Sequence, residues 1–517
     1  MIRILLFISI LFSLVLSPLL SQETNEEVKT PKVKLTLKEA VQRAIENSPD
    51  IKNTAFELIK SDSGYLKSQS KYSWRFVGGL DSQKSTFPNN RSNFFTGTKS
   101  STDKFNAGIE KIFMTGTYFK IDASSQRFDS NAFEDPVQNA SSGFSALALR
   151  PLYTGAITLT LSQDILKNSF GLKDQNIDKM LKHQSEINKL DLSYKLSGTI
   201  VDTMVSYWSY IVSESSVQTF EQLLKNSKNI RNLTIQKTRL GLAENFEINQ
   251  WNALISQTEN QLEKAKLEKE ESRRKLSRIL NLPPDHDLGE ITDLEKDLPE
   301  TIDFDKDLAY AFEHRHDWKS LGLKKEIAQL TKENAKDDAL PSVKVTASRS
   351  AKGQTLISPQ ANYTNTQYGI PSTKYYDAIA NVKVTYPLFD KGVKAGLRDA
   401  EIMNYQVSLE EDNLKREIYD DVYNKYQQVV VGHKILENSI ETRKQSEAYY
   451  KGLYNSFRQG RYTAVMVKNA LDNLVQNQLS ETQSMINFNI NLMRYELAKN
   501  ELFEKYDISI EKILPKF

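Results

Sequence analysis

The chain alternates between two hydrophobic patterns, and the longer one has the period of an α-helix. Residues 172–239 contain no proline and one glycine, and residues 393–458 contain no proline and three glycines. At a rise of about 1.5 Å per residue, each stretch predicts a helix roughly 100 Å long. Helices of that length form coiled coils or tubes and not the core of a compact domain.

A second, shorter helix is predicted after each long one, beyond a tight turn. These segments are residues 244–280 and 464–503. In the first of them, apolar residues recur at spacings of three, four and seven, which gives a narrow apolar stripe on a polar helix. The stripe predicts that the helices pack side by side, and its members are Ile248, Trp251, Leu254, Ile255, Leu262 and Ala265.

Six segments between the helices alternate strictly between apolar and polar residues, which is the period of a β-strand. They fall within residues 74–165 and 341–389, and polar loops are expected at 82–103, 129–155 and 350–375. In a soluble sandwich such an apolar face covers a core, and in an outer-membrane barrel it faces lipid. Alternation alone does not distinguish these two folds. The alternating apolar positions are Trp74, Phe76 and Leu80; Phe105, Ala107 and Ile109; Phe119, Ile121 and Ala123; Ile157, Leu159 and Leu161; Val343, Val345 and Ala347; and Ala380, Val382, Val384 and Tyr386.

The sequence also contains an internal repeat. With a shift of 219 residues, Gly241 falls on Gly460, and the match continues without a gap across both pairs of helices. At the front of each half the shift is 267, so the first half has 48 additional residues, about one hairpin. The predicted division is a first repeat at 36–282, a proline-containing linker at 283–303 and a second repeat at 304–504.

The N-terminal residues 1–21 have the composition of a secretory signal peptide. Arg3 precedes an apolar run that Pro18 interrupts, and the run is shorter than the roughly 20 residues of a membrane anchor helix, which is the alternative. Residues 22–35 are then expected to form an N-terminal extension, and residues 505–517 a C-terminal tail.

Composition excludes several kinds of partner and site. Lys and Arg number 68 and Asp and Glu 66, so the net charge of +2 does not identify a polyanion-binding protein. Cysteine is absent, which excludes disulfides, thiolate zinc sites and cysteine nucleophiles.

The narrow apolar stripes of the helices and the unpaired edges of the strands predict that an exported chain of this kind oligomerises. Within a membrane the strands would have to form a closed barrel.

The order and spacing of several short motifs resemble the outer-membrane efflux protein family, of which TolC is the familiar member. The start of the family pattern is matched by LTLKEA at 35–40 and NSPD at 47–50. Its strand-to-helix join is matched by YPLFDKG at 386–392, and its helix turns by RLG at 239–241 and RQG at 458–460. The resemblance covers nearly the whole mature chain.

The resemblance implies an α+β membrane protein, a homotrimer in which strands from three chains form one outer-membrane β-barrel. This barrel would continue into a long α-helical barrel in the periplasm. The implied function is the exit duct of a tripartite efflux pump or a type I secretion system, which conducts substrate passively. The implied partners are a periplasmic adaptor (membrane-fusion) protein, an inner-membrane transporter and outer-membrane lipid, and no nucleic acid.

The resemblance also implies that the periplasmic tip docks on the adaptor through Arg239, Gly241, Arg458 and Gly460. A simpler role is open for the same residues. Glycine can adopt the positive φ that closes a helix hairpin, and a cation near a helix C-terminus is favoured by the helix dipole. The two roles are compatible.

A tunnel constriction is expected close to the same turns, at Glu247, Phe457, Arg461 and Tyr462. Phe457 and Tyr462 would supply bulk, and Glu247 would pair with Arg461 or hydrogen-bond Tyr462. The alternative for Glu247 is an ordinary exposed glutamate without such a contact.

Three features depart from the family pattern. Asp164 stands at the first strand-to-helix join where proline is usual, so that bend must form without a fixed φ. Met466 and Asn469 occupy positions where family members often carry acids, which argues against an aspartate ring at the tunnel mouth. The additional hairpin leaves open whether four or six strands per chain enter the barrel.

No combination of residues suggests catalysis, a cofactor or a metal. His314 and His316 are two residues apart, a spacing that diverges on a helix, and they are interpreted as part of a helix junction. Two alternatives to a channel stay open. One is a non-conducting periplasmic or surface coiled-coil scaffold, and the other is a secreted enzyme on a solenoid, which would lack a convergent polar cluster.

Overall fold

The computed structural model describes residues 35–506, except for short gaps at 91–92, 94–95, 133–150, 284–287, 289–293, 300–301, 356–361, 364–365, 367–369 and 371–373. The predicted signal peptide at 1–21 therefore lies outside the described residues, as do most of the predicted N-terminal extension and C-terminal tail. The predicted linker at 283–303 is described only in part.

The described α-helices agree closely with the helical periods of the sequence. Both long helices have 68 residues, and each end of the second lies 219 residues after the corresponding end of the first. The helices are α1 (Leu37–Asn47), α2 (Pro49–Lys60), α3 (Ser63–Gln69), α4 (Leu172–Arg239), α5 (Asn245–Ile279), α6 (Phe304–His314), α7 (His316–Asp338), α8 (Lys391–Arg458), α9 (Ala464–Lys499) and α10 (Leu502–Lys505).

One predicted helix is shorter than expected. The segment predicted to run to residue 503 is interrupted after Lys499, because Asn500 adopts a left-handed conformation with φ of 64°. The Glu501 N–H then donates to the Glu496 carbonyl at 2.9 Å, which closes the end of α9 as a Schellman turn.

The six predicted strands all form, and they make one antiparallel sheet in the order of the chain. The strands are β1 (Arg75–Thr86), β2 (Lys99–Ile112), β3 (Tyr118–Ser130), β4 (Leu152–Asp164), β5 (Ser342–Thr355) and β6 (Tyr376–Thr385). The additional hairpin of the first half thus belongs to the same sheet as the other strands.

The strands extend into several of the predicted polar loops. Residues 82–86, expected in a loop, pair with residues 99–103 as the outer part of the β1–β2 hairpin. Strands also extend into both ends of the loop expected at 129–155 and into the start of the loop expected at 350–375, whose predicted end agrees with the start of β6. Backbone pairing continues through Ser, Thr and Gln residues because the ladder needs only N–H and C=O groups.

The sheet has one exposed apolar face and one polar face. Phe76 and Leu80 are each 77 % exposed on the apolar face. On the polar face the hydroxyls of Thr158 and Ser350 lie 2.8 Å apart in neighbouring strands. The polar face is therefore internally hydrogen-bonded. Among the described residues, Tyr363 and Thr366 cover part of the apolar face at its outer end, and large side chains such as Phe76 and Leu80 stay exposed.

The core of the helical part is divided into clusters along the rods. Around the middle of α4, Ile200, Met204 and Tyr207 are buried against α1, and the Tyr207 hydroxyl donates to the Leu35 carbonyl at 2.8 Å. Another cluster joins α6, α8 and α9. A third fills the helix ends farthest from the sheet. This arrangement explains how a chain with 39 % hydrophobic residues packs without one thick core.

The first strand-to-helix join bends through consecutive unusual backbone conformations. Asn168, Phe170 and Gly171 have positive φ of 54°, 46° and 78°, so the bend forms without the proline that is usual at position 164. A Cβ on Gly171 would lie only 1.9 Å from the Met114 carbonyl, so no other residue fits there.

Within the described residues, none of the helices combines the length and the apolar character needed to cross a membrane.

Candidate functional site at the helical tip

The end of the α4–α5 hairpin is closed by a glycine turn. The Gly241 N–H donates to the Thr238 carbonyl at 3.0 Å, and the Leu242 N–H donates to the Lys237 carbonyl at 2.8 Å. This pair of bonds is a Schellman motif, and Gly241 has the positive φ, 70°, that the motif requires.

The end of the α8–α9 hairpin has the same turn. The Gly460 N–H donates to the Phe457 carbonyl at 3.0 Å, and the Arg461 N–H donates to the Ser456 carbonyl at 3.0 Å. Gly460 has a φ of 82°. The positive φ expected from the sequence at both glycines is confirmed, and we call the two turns and the adjoining helix ends the tip.

The outer surface of the tip combines basic and apolar side chains. Arg239 and Arg458 are the last residues of α4 and α8, and both are exposed. Leu240 and Leu242 are 73 % and 70 % exposed on the first of the two turns, and Phe246 is exposed nearby. An exposed apolar patch with polar residues around it is typical of a protein contact surface.

A lysine that the sequence analysis missed connects the two hairpins inside the tip. Lys237 is only 7 % exposed, its Nζ donates to the Phe457 carbonyl, and Nζ lies 4.3 Å from the centre of the Phe457 ring. Burial lowers the pKa of Lys237, and the charge of Glu247 opposes that shift. The sequence marks Lys237 only as a basic residue in the last turn of a helix. The exposed Arg239 lies in the same turn, so this signal does not distinguish the buried cation from the exposed one.

Glu247 lies in the first turn of α5 and is 7 % exposed. Burial raises the pKa of Glu247, the charge of Glu244 raises it further, and the charge of Lys237 opposes both. Within the described chain, Glu247 forms no ion pair with Arg461 and no hydrogen bond with Tyr462. The structure thus brings Glu247 to the interior of the tip and to the charge of Lys237, so the alternative of an ordinary exposed glutamate is wrong. The contact of Glu247 with Arg461 or Tyr462 stays a prediction.

The remaining constriction residues divide into one buried and two exposed side chains. Phe457 is 2 % exposed and packs with Trp251, Val467 and other residues of the tip cluster. This position contradicts the expectation that its ring narrows the tunnel directly, because an apolar ring at a helix crossing packs against its own chain. Arg461 and Tyr462 are exposed beside the second turn.

Two neutral residues stand on the surface at the start of α9. Met466 and Asn469, at the positions where family members often have acids, are both exposed. A ring built from these positions in several copies of the chain would be uncharged. Any electrostatic control at this level would have to come from other residues.

A second polar cluster joins α6, α7, α8 and α9 at the helix junction. Arg315 donates from Nη1 to Asp421 at 2.8 Å and to the Ala498 carbonyl at 3.0 Å, and from Nη2 to Asp317 at 2.7 Å. Burial lowers the pKa of Arg315, but the hydrogen bonds and charges of both aspartates outweigh it and raise the pKa. The cluster is a structural connection between helices that are distant in sequence.

The two histidines near this cluster lie at the helix junction, as predicted. His314 is the last residue of α6, and its Nδ1 lies 3.0 Å from the Tyr310 carbonyl oxygen. His316 is the first residue of α7, and burial lowers its pKa, with a further decrease from the charge of Lys319. In the part of the chain that the structure describes, no three His, Asp or Glu side chains form a group that could hold a metal ion.

Comparison with known proteins gives a likeness in structure and none in sequence. No protein-family model matches the chain, and no curated protein matches it. CusC, whose structures concern folding and transmembrane channel formation, is 12 % identical, with 93 % of this chain and 95 % of that chain covered and a TM-score of 0.65.

Two further solved structures are outer-membrane channels from named bacteria. CmeC of Campylobacter jejuni is 14 % identical, with 90 % of this chain and 85 % of that chain covered and a TM-score of 0.63. MtrE of Neisseria gonorrhoeae, in its open state, is 13 % identical, with 90 % and 89 % covered and a TM-score of 0.60. Together with the antiparallel sheet and the long helices, these likenesses show that the chain has the TolC-like fold of outer-membrane efflux channels.

Proposed function

We propose that this protein is a channel in the outer membrane that extends into the periplasm and acts without catalysis as an exit duct. The observation that carries the proposal is one chain that joins an exposed apolar sheet face to two 68-residue helices. A large exposed apolar face marks a contact with lipid or protein, and long helices with thin apolar stripes fit a tube wall.

The duct is a homotrimer built from two structural repeats in each chain. In the single chain, β1 and β6 are the edges of the sheet and each has a pairing partner on one side only. Pairing β6 of one copy with β1 of the next satisfies both edges, and three copies close one barrel of strands. The equal lengths of α4 and α8 and their constant offset support the repeats.

The duct conducts substrate passively from an inner-membrane transporter and a periplasmic adaptor, within a tripartite efflux pump or a type I secretion system. The tip is the docking surface, with Arg239, Gly241, Arg458 and Gly460 in its two turns. The exposed Arg461 and Tyr462 are proposed to narrow the tunnel, and the buried Glu247 and Phe457 support them from inside the tip.

Detergent extraction and cysteine labelling test the channel proposal. We expect a detergent-dependent trimer in membranes and stepwise ion currents in planar bilayers. A cysteine at Thr158 should react with a water-soluble reagent, whereas one at Leu159, on the opposite face, should be protected by lipid. A stable monomer that needs no detergent, or equal labelling at the two positions, would contradict the channel and favour a coiled-coil scaffold.

Photo-crosslinking from the tip tests the partner. A photoreactive residue placed at Arg458 should capture the adaptor in cells, and the same residue at Lys225, on the exposed side of α4, provides the control. Capture from both positions alike, or from neither, would contradict docking through the tip.

A further inference from the structure

The apolar face of the sheet carries a single charged residue over its three last strands. Arg349 lies in β5 and pairs with Leu159 of β4 on one side and with Ala378 of β6 on the other. Residues that pair directly across strands share a face, so the exposed guanidinium starts from the apolar face. A charge on such a surface needs a counter-charge or water.

The acids that share this face, Asp103 and Asp129, lie in β2 and β3 and form ion pairs with Arg127. The positions that share the face of Arg349 in β4, β5 and β6, strands that the structure describes throughout, contain no Asp or Glu. Asp377, the nearest acid in the register, lies on the opposite face, where it forms an ion pair with Lys352. The positions of the apolar face are Tyr153, Gly155, Ile157, Leu159, Leu161 and Gln163 in β4; Val343, Val345, Ala347, Ala351, Gly353 and Thr355 in β5; and Tyr376, Ala378, Ala380, Val382 and Val384 in β6.

Trimerisation as proposed above would not supply the missing acid. The strand expected to pair with β6 is β1 of the next copy, and its apolar-face positions are also free of carboxylates. These positions are Phe76, Gly78, Leu80, Ser82, Lys84 and Thr86. Within the described strands of both copies, no acid shares the face next to Arg349, and we expect its counter-charge to come from outside the protein.

Arg349 pairs with the third residue of β6, close to the end of this strand that is remote from the helices, whereas β5 itself continues to Thr355. The guanidinium carbon lies 5.2 Å from the centre of the Tyr376 ring. Tyr376 is the first residue of β6, whereas the other end of β6 leads towards α8. An arginine with an aromatic ring under it at this end can reach the headgroup level of a bilayer, because arginine extends its charge along an apolar surface.

We propose that Arg349, with the Tyr376 hydroxyl beside it, binds the phosphate of an anionic lipid on the outer surface of the sheet. The planar guanidinium donates two parallel hydrogen bonds to phosphate oxygens, and the hydroxyl supplies a further donor. This inference rests on the proposed function, because it requires that the apolar face lies in a membrane.

The test measures lipid retention by native mass spectrometry of the trimer released from two kinds of nanodisc. One contains phosphatidylcholine alone, and the other also contains phosphatidylglycerol. The wild type should retain phosphatidylglycerol preferentially, and Arg349→Gln should lower its apparent affinity about tenfold, the equivalent of one charge-assisted contact of ~1.4 kcal/mol. Arg349→Lys should retain part of the preference because it keeps the charge.

The matched control is Lys383→Gln, which removes a cation from the same hairpin on the polar face. It should leave lipid retention unchanged. Equal retention of phosphatidylglycerol by the wild type and Arg349→Gln, or an equal loss in both glutamine variants, would overturn the lipid site alone. Failure of the wild type to enter either nanodisc would overturn the proposed membrane channel and the lipid site together.

Discussion

Lys237 gives the sharpest test of how the tip is held together. It is a buried cation whose partners, the carbonyl and the ring of Phe457, lie 220 positions away on the other hairpin. Separation of α4 from α8 at the tip requires these contacts to break. Lys237→Met removes them and keeps most of the volume of the side chain.

The contacts give the size of the effect. A hydrogen bond from a charged donor contributes about 1.5–3 kcal/mol, and a cation over an aromatic ring adds about 0.5–2 kcal/mol. Methionine avoids the cost of burying the charge, which offsets part of the loss. We expect a net cost of about 2 kcal/mol, and since 1.4 kcal/mol corresponds to a tenfold change, the tip should open about 30-fold more often.

Amide hydrogen exchange measures this opening directly, without assuming that the protein conducts. The amides of the two turns, within residues 234–242 and 453–461, should exchange about 30-fold faster in Lys237→Met, whereas those around Tyr207 should not change. Lys225→Met, which removes an exposed lysine from the same helix, is the control and should leave exchange unaffected.

A second substitution tests the electrostatic part of the reasoning. Lys237→Met leaves the buried carboxylate of Glu247 without its nearby cation, so adding Glu247→Gln should recover part of the lost protection. Exchange in Lys237→Met at the wild-type rate would refute the view that this lysine joins the hairpins. Additive effects of the two substitutions would refute their coupling.

Three further predictions concern other residues. Gly460→Val should strain a backbone with φ of 82° by roughly 1 kcal/mol or more and reduce export while trimers still assemble. The control Gly452→Ala, in a helical segment with open space around it, should leave export unchanged. Normal export by the valine variant would contradict docking through the tip. Arg315→Met should destabilise the chain by about 3 kcal/mol or more, because it leaves two carboxylates without their cation, and an unchanged midpoint in thermal unfolding would contradict this. Burial raises the pKa of Glu247, so the folded tip binds a proton more tightly than the unfolded chain. The resulting stabilisation is complete below the ordinary pKa of 4.5 and is lost as pH rises through the higher folded pKa. Acidification from neutral pH should therefore slow amide exchange at the tip more in the wild type than in Glu247→Gln, and an equal response would contradict this reasoning.

Sequence periodicity was sufficient for the helices and strands because it records local properties of the backbone and side chains. The bounds of α4 agree with the proline-free stretch 172–239 at both ends. Gly241 and Gly460 could be assigned a positive φ because few other residues adopt it without strain. The six alternating segments became strands because alternation places apolar residues on one face of any strand.

Strand length and helix ends were less predictable. The polar residues at 82–86 have the composition of a loop, yet they form part of β1 because β2 offers them a pairing partner. Asn500 ends α9 early because the chain turns there towards α10, and helical periodicity carries no record of that turn. The Asn500 side-chain amide also donates to the His314 carbonyl at 2.9 Å, so in both cases a partner distant in the sequence contacts the residue.

The sequence by itself determined the elements, their order and the turns between them, since these depend on residues close together in the chain. Only the tertiary structure decided that Lys237 meets Phe457, that Phe457 is enclosed, and that Arg349 stands without an acid. These facts depend on which sides of different elements face each other, as in the contact of Lys237 with Phe457, 220 positions apart. Packing and strand register determine that choice, and a pattern within one segment does not contain it.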